Sequence, residues 1–272
     1  MGRFLTLMKS GIMLDLYWLK NNRASFISMM LWPYLMLGLV LGMGFIFGSS
    51  EAFQRNIGLK VNPITYFVAS TVVVMACLGI MWDVGGNVLF LKWIGALPYV
   101  IVAPHRISMT LILSYIPRYL FLTMFQLLEF IPLIFLVEGI KQGIFKLGVM
   151  VLALTLGMLP LLGFSALFAI VFMVTGEEES NLLSWLNPLI LLFSGAFYPV
   201  ALLPYWAQLI AWALPSTYTI ELARLSALMG SPRFAQIIFL MGILLGMAMF
   251  YNLVAYSFIG VGERRALKKG AL

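Results

Sequence analysis

Six stretches of this sequence, 24–48, 62–82, 112–137, 147–173, 182–202 and 234–259, are apolar over lengths that match a hydrocarbon bilayer. A helix needs about 20 such residues to cross. Inside the bilayer no water is present to satisfy backbone groups, so a helix must satisfy them itself. The 272 residues are 62% hydrophobic and only 10% charged, with a mean hydropathy of +1.02. A soluble domain carries about 25% charge, so this much apolar surface requires lipid as its solvent. The reading is one all-α integral membrane domain over residues 1–272, with six transmembrane helices.

The basic residues set an orientation. Eleven of the seventeen lie on one side of such a six-span chain: Arg3, Lys9, Lys20, Arg23, Lys92, Arg106, Arg118, Arg264, Arg265, Lys268 and Lys269. By the positive-inside rule, both termini and the loop 83–111 are expected in the cytoplasm of a multi-pass cell-membrane protein. Arg55, Lys60, Lys141, Lys146, Arg224 and Arg233 then fall outside. The acidic run Glu177–Glu179 falls inside, where acidic residues weigh little. Residues 1–23 mix Arg3, Lys9 and Lys20 with Phe4, Leu7, Ile12 and Trp18, which suits a helix lying in the membrane interface. Those charges also leave no clean apolar core, so no cleavable signal peptide is expected. The net charge of +7 has no soluble domain to organise it, which argues against nucleic acid as a partner.

Residues 193–218, FSGAFYPVALLPYWAQLIAWALPSTY, are as apolar as a span yet contain Pro199, Pro204 and Pro215. Proline removes a backbone donor and clashes with the preceding turn. The segment 203–230 is therefore expected to form a re-entrant helical hairpin between spans five and six, on the outer side. Pro199 is expected to end the fifth span. Pro204 should open a short helix through Ala213, and Pro215 a second one carrying Tyr218, Glu221 and Arg224. Glu221 and Arg224 lie three apart, a spacing that can join them on one face. Tyr205, Trp206, Trp212 and Tyr218 suit an interfacial belt.

These residues carry a family resemblance. Ser194-Gly195, Phe197-Tyr198-Pro199, Leu203-Pro204, Leu214-Pro215, Thr217-Tyr218 and Arg224 resemble the late signature of type-2 ABC-transporter permeases, the exporter-type membrane subunits. In the 83–111 loop, Gly95, Leu97, Pro104 and Arg106 hold positions of a second, more degenerate family pattern. Ala96 and Pro98 depart from it, standing where Thr and Glu are usual. The resemblance implies a half-transporter that pairs with a second permease chain, identical or not, and with two cytoplasmic ATPase subunits. It implies a coupling helix in the 83–111 loop, an N-terminal helix against the same ATPase, and a hairpin that closes the exit. ATP and Mg would then be bound by the partner and no cofactor by this chain. The expected coupling residues are Gly95, Leu97, Pro98, Tyr99, Pro104, His105 and Arg106. Those of the gate are Pro199, Pro204, Pro215, Tyr218, Glu221 and Arg224.

The residues agree on one point. No GxxxxGK[ST] phosphate cradle occurs, so this chain does not bind ATP through a P-loop, and the energy for active transport must enter from another chain. No catalytic or metal-binding set emerges. His105 is the single histidine and Cys77 the single cysteine, HExxH is absent, and Ser165 in GFS has no assigned base. Glu129, with Gln126 one turn earlier, sits well inside the third span. An ionisable group there faces protein or water, as part of a conduit or as a hydrogen-bonded packing residue. Gly38/Gly42 and Gly44/Gly48 have the small-residue spacing that lets helices approach and are the candidate dimer seam; Gly242/Gly246 repeats it. The expected function is export of an amphipathic or lipid-like molecule, a drug or a glycan by alternating access. The alternative is a non-transport polytopic protein, an assembly factor or a membrane-embedded enzyme.

Overall fold

Apolar runs that cannot bond to lipid close their hydrogen bonds internally, and the chain is overwhelmingly helical. The computed structural model describes residues 2–47, 54–55, 60–102, 107–174, 188–229 and 233–268. Helix α1 spans Gly2–Asn21 and α2 Arg23–Phe47. Helix α3, Pro63–Trp93, contains a π-helical turn at Met81–Gly86. A short α4, Leu97–Val102, leads to the long α5, Ile107–Glu138, and α6, Ile140–Val174. Residues 188–193 form α7. Then come α8, Tyr205–Ala213, α9, Pro215–Arg224, and α10, Phe234–Lys268. No strand occurs among the described residues; Val61 and Leu228 form an isolated bridge.

Among the described residues, four helices are long and apolar enough to cross a membrane: Pro63–Trp93, Tyr115–Glu138, Ile140–Met173 and Phe234–Gly262. Of the remaining two expected spans, the first is helical as α2, with Phe26–Gly38 as its apolar stretch. The fifth falls partly in 175–187, outside the described residues, as does the acidic run Glu177–Glu179. The apolar core window of α3 is 78% buried and that of α6 61%, against 22% for α5 and 17% for α10. So α3 and α6 form the centre, and α5 and α10 turn Leu128, Leu136, Phe239, Phe250 and Leu253 outward, as lipid-facing helices must. Helix α1 is a helix as expected and packs along α5.

Two close approaches align the central helices. Ser165 Oγ donates to Ile80 O at 3.0 Å, joining α6 to α3 where the π turn begins. Asn252 Nδ2 donates to Leu159 O at 2.9 Å, joining α10 to α6. A Cβ on Gly163 would lie 2.7 Å from both Asn252 N and Tyr251 C, and one on Gly262 2.9 Å from Ile170 Cγ2. These glycines therefore set the α6–α10 distance. Gly38, Gly42, Gly242 and Gly246, singled out by spacing, meet nothing within 4 Å of an added Cβ. Their surfaces are open within this chain. Gly48 lies outside the described residues, and nothing is described of the surroundings of Gly44.

The expected loop 83–111 needs correction. Its first part, through Trp93, continues α3 as helix. An apolar sequence such as NVLFLKW offers no breaker, so the helix runs on until Gly95 (φ +68). There Ala96 N bonds Leu91 O and Gly95 N bonds Lys92 O, a left-handed glycine ending of the kind that satisfies terminal carbonyls. The connection is tight because α4 follows at once.

Candidate functional site

The segment between α7 and α10 is broken by glycine and proline acting in turn. Helix α7 stops at residue 193, because Gly195 takes φ +71 and a Cβ there would strike Val200 Cγ2 at 2.7 Å. The expectation that Pro199 ends the fifth span is thus corrected: the chain has already left the helix, and Pro199 sits extended before the 3-10 turn Val200–Leu202. Pro204 does open α8, its carbonyl accepting from Ala207 N and Gln208 N at 2.9 and 3.0 Å. Pro215 is the first residue of α9, where its missing N–H is not needed. The carbonyls at the end of α8 find side-chain donors. Thr217 Oγ1 donates to Ala211 O at 2.7 Å, and Tyr251 Oη on α10 donates to Ala213 O at 2.6 Å.

Helix α9 reverses the usual placing of polarity. Its sequence, PSTYTIELAR, is the least apolar of the long elements, yet Ser216, Thr217, Thr219 and Arg224 are buried. It is inserted between α3, α6 and α10. Thr219 turns its hydroxyl to Pro215 O at 2.9 Å and sits against Gly157, where any Cβ would collide with it. The end of α9 meets the start of α3: Ala227 O accepts from Asn62 N at 3.0 Å, and Met229 N donates to Lys60 O at 2.9 Å. Helix α9 therefore runs from mid-bundle, at Gly157 and Tyr251, back to the end of the bundle from which α3 starts. Helix α8 is its opposite, with Tyr205, Trp206, Leu209, Ile210 and Trp212 all exposed.

Arg224 holds the assembly together. Its Nε donates to Ser70 Oγ at 2.7 Å and its Nη2 to Ala196 O at 2.5 Å, while the guanidinium lies 4.2 Å from the centre of the Tyr66 ring. One side chain thus ties α9 to α3 and to the turn after α7. Burial pulls its pKa down to about 10, which leaves it charged at neutral pH. Glu221, one turn earlier, is raised by burial and lowered by Arg224, with the net direction upward. The sequence paired these two with each other; the structure gives Arg224 neutral acceptors instead. Tyr218 is half-buried on the same helix.

At the same end of the bundle lies a charged cluster that sequence spacing did not single out. Lys146 Nζ is 2.6 Å from Glu138 Oε2, both side chains buried, and Thr65 Oγ1 donates to Glu138 Oε1 at 2.5 Å. Lys146 had been assigned to an outer loop. Gly139, at φ +74, folds α6 back against α5, which carries the lysine inward to its counter-ion. The signal in the sequence is a Glu and a Lys flanking a glycine turn between two spans. Arg118 and Asp83 form a looser pair at 3.8 Å toward the opposite end.

Other candidates are placed as follows. Leu97 is fully buried against Val88, Ala169, Phe172 and Met173, so it anchors α4 to the bundle rather than facing outward. Tyr99 is 80% and Trp93 81% exposed. Pro98 sits in the first turn of α4, whereas Pro104, His105 and Arg106 lie outside the described residues. Both carboxylate oxygens of Glu129 are buried without a hydrogen-bond partner, and the Tyr34 hydroxyl donates to the Glu129 carbonyl. Gln126 is half-buried one turn away. Ser165 donates to the backbone carbonyl of Ile80. Cys77 is free and buried. The chain matches no protein-family model, and no curated protein matches it.

Proposed function

We propose that this chain is the permease subunit of an ATP-driven exporter of the ABC type, working with a second permease chain and a pair of separate P-loop ATPase subunits. In this reading α2 and α7 supply the two further spans, both termini are cytoplasmic, and the cell membrane is the site. The α8–α9 hairpin enters the bundle from the outer side and returns to it as the external gate. Substrates are amphipathic or lipid-like molecules, drugs or glycans, moved outward by alternating access. The ATP and Mg belong to the partner.

One observation carries the reading: a polar helix, α9, buried among apolar helices and joined by a tight turn to an exposed aromatic one. Irregular backbone at membrane depth is tolerated only where protein or a wet cavity covers it. A bundle serving only as an anchor has no need of such an insertion. At the opposite end, the tightly anchored α4 leaves Tyr99 exposed, as the end of α3 leaves Trp93, and in this reading they are apolar surface for a partner.

The test is co-purification of the full chain from its native membrane, followed by ATP hydrolysis by the complex. Tyr99→Asp is expected to lower the recovered ATPase about tenfold, since burying one such side chain is worth roughly 1.5–3 kcal/mol, with permease yield unchanged. A chain that purifies without an ATPase, and shows chemistry independent of ATP, belongs to the non-transport alternative.

A further inference from the structure

Helix α5 carries one carboxyl group that the packing leaves unused. Glu129 stands within the apolar stretch Tyr115–Glu138. At 1.5 Å per residue it is about 21 Å from Tyr115 and about 14 Å from Glu138 along the helix. Both of its carboxyl oxygens are buried, and neither has a hydrogen-bond partner. The surroundings are aromatic. On the facing α2, the Tyr34 ring lies 5.1 Å from that of Phe130 and the Phe26 ring 6.0 Å from that of Phe125. A helical side chain leans over the turn before it, which here carries Phe125. The Tyr34 hydroxyl is spent on the backbone carbonyl of Glu129 and not on its carboxyl.

The elements packed against α5 bring no counter-charge. Lys146 of α6 is paired with Glu138, and Asp83 of α3 with Arg118. Lys9 and Lys20 of α1, Arg23 of α2 and Lys141 of α6 are exposed, and Lys92 lies beyond the π turn of α3. Among the described residues none of these cations forms an ion pair with Glu129. A buried carboxylate with neither a cation nor a donor is far costlier than the neutral acid. The lipid face is adjacent, since Leu128 is exposed.

We propose that Glu129 is a proton-binding site in the membrane interior, holding its carboxyl as the neutral acid at neutral pH and open to lipophilic reagents that arrive through the bilayer. The proton is part of the α2–α5 joint, because losing it places an unpaired charge between two apolar helices. The site requires no ATPase and is separable from the permease reading.

The full chain is reconstituted in phosphatidylcholine nanodiscs at neutral pH and exposed to dicyclohexylcarbodiimide, which partitions into lipid. The neutral acid adds across one C=N bond: its oxygen joins the central carbon and its proton goes to nitrogen. The O-acylisourea then rearranges to a stable N-acylurea that keeps every atom of both partners. Peptide mass spectrometry is expected to find this adduct on Glu129 and none on Glu138, which is buried but already has Lys146. Glu129→Gln keeps the shape of the neutral acid and is expected to lose the adduct with an unchanged melting midpoint. A water-soluble carbodiimide supplied with glycine methyl ester should leave Glu129 unmodified. No adduct on Glu129 from the lipophilic reagent overturns the proposal, as does capture of Glu129 by the water-soluble pair, which marks a wet carboxylate. A clear fall in midpoint for Glu129→Gln also overturns it, since the negative charge was then in use.

Discussion

Gly157→Ala should force α9 out of its slot and destabilise the bundle more than almost any other single-methyl addition. The new Cβ would overlap the Cγ2 and Oγ1 atoms of Thr219. Thr219 is fully buried and its hydroxyl is committed to Pro215 O, so it has little freedom to move aside; a β-branched side chain is stiff at χ1. Overpacking of this kind costs about 1–3 kcal/mol. Adding Thr219→Ala should recover part of that loss, giving a coupling energy of about 1 kcal/mol in a double-mutant cycle. Gly163→Ala should be as harmful and without rescue, because its Cβ would meet the backbone of Tyr251 and Asn252. Gly242→Ala, with open space around it, should be near neutral. Denaturation midpoints in a fixed detergent rank the variants, and equal midpoints for Gly157→Ala and Gly242→Ala would contradict the packing described.

Arg224→Leu should release α9 from α3. The substitution leaves Ser70 Oγ and Ala196 O without their charged donor. Hydrogen bonds to charged groups are worth about 1.5–3 kcal/mol each, and the stacking on Tyr66 is lost as well, so a loss of more than about 3 kcal/mol is expected. Arg224→Lys should fall between, because a point charge cannot serve two acceptors and an aromatic face with a planar fork. Limited proteolysis reads this locally. Cleavage within 196–204 should rise in the order arginine, lysine, leucine while α6 and α10 stay protected. Unchanged cleavage in Arg224→Leu would remove Arg224 from its role as a clamp.

The starts of two short helices were legible because proline acts locally. Pro204 and Pro215 place the starts of α8 and α9 wherever the chain goes afterwards. The end of α7 was misplaced because a left-handed glycine, Gly195, stops a helix as firmly as proline does, and apolar spans contain many glycines that do not. The same ambiguity hid the tight helix contacts. Spacing favoured Gly38/Gly42 and Gly242/Gly246, but what makes Gly157 and Gly163 indispensable is the residue opposite, Thr219 or the backbone at Asn252. That information is absent from any local window. Leu97 was misjudged for a related reason: a short helix has one anchored side, and only its partners, Val88 and Phe172, reveal which. The Glu138–Lys146 pair was missed because charge counting treats each lysine alone, whereas the turn at Gly139 folds this one onto a glutamate eight positions away.

The central claim is that the α4 end of this bundle meets an ATPase while the α8–α9 end meets lipid and the exterior. A photo-crosslinking amino acid placed at Tyr99, and separately at Trp206, both exposed, addresses it in native membranes. The prediction is that position 99 captures a P-loop ATPase chain, with capture diminished when α4 is released by Leu97→Asp, and that position 206 captures lipid or a second permease chain and no ATPase. Capture of lipid alone at position 99, or of the same soluble partner at both positions, would contradict the account.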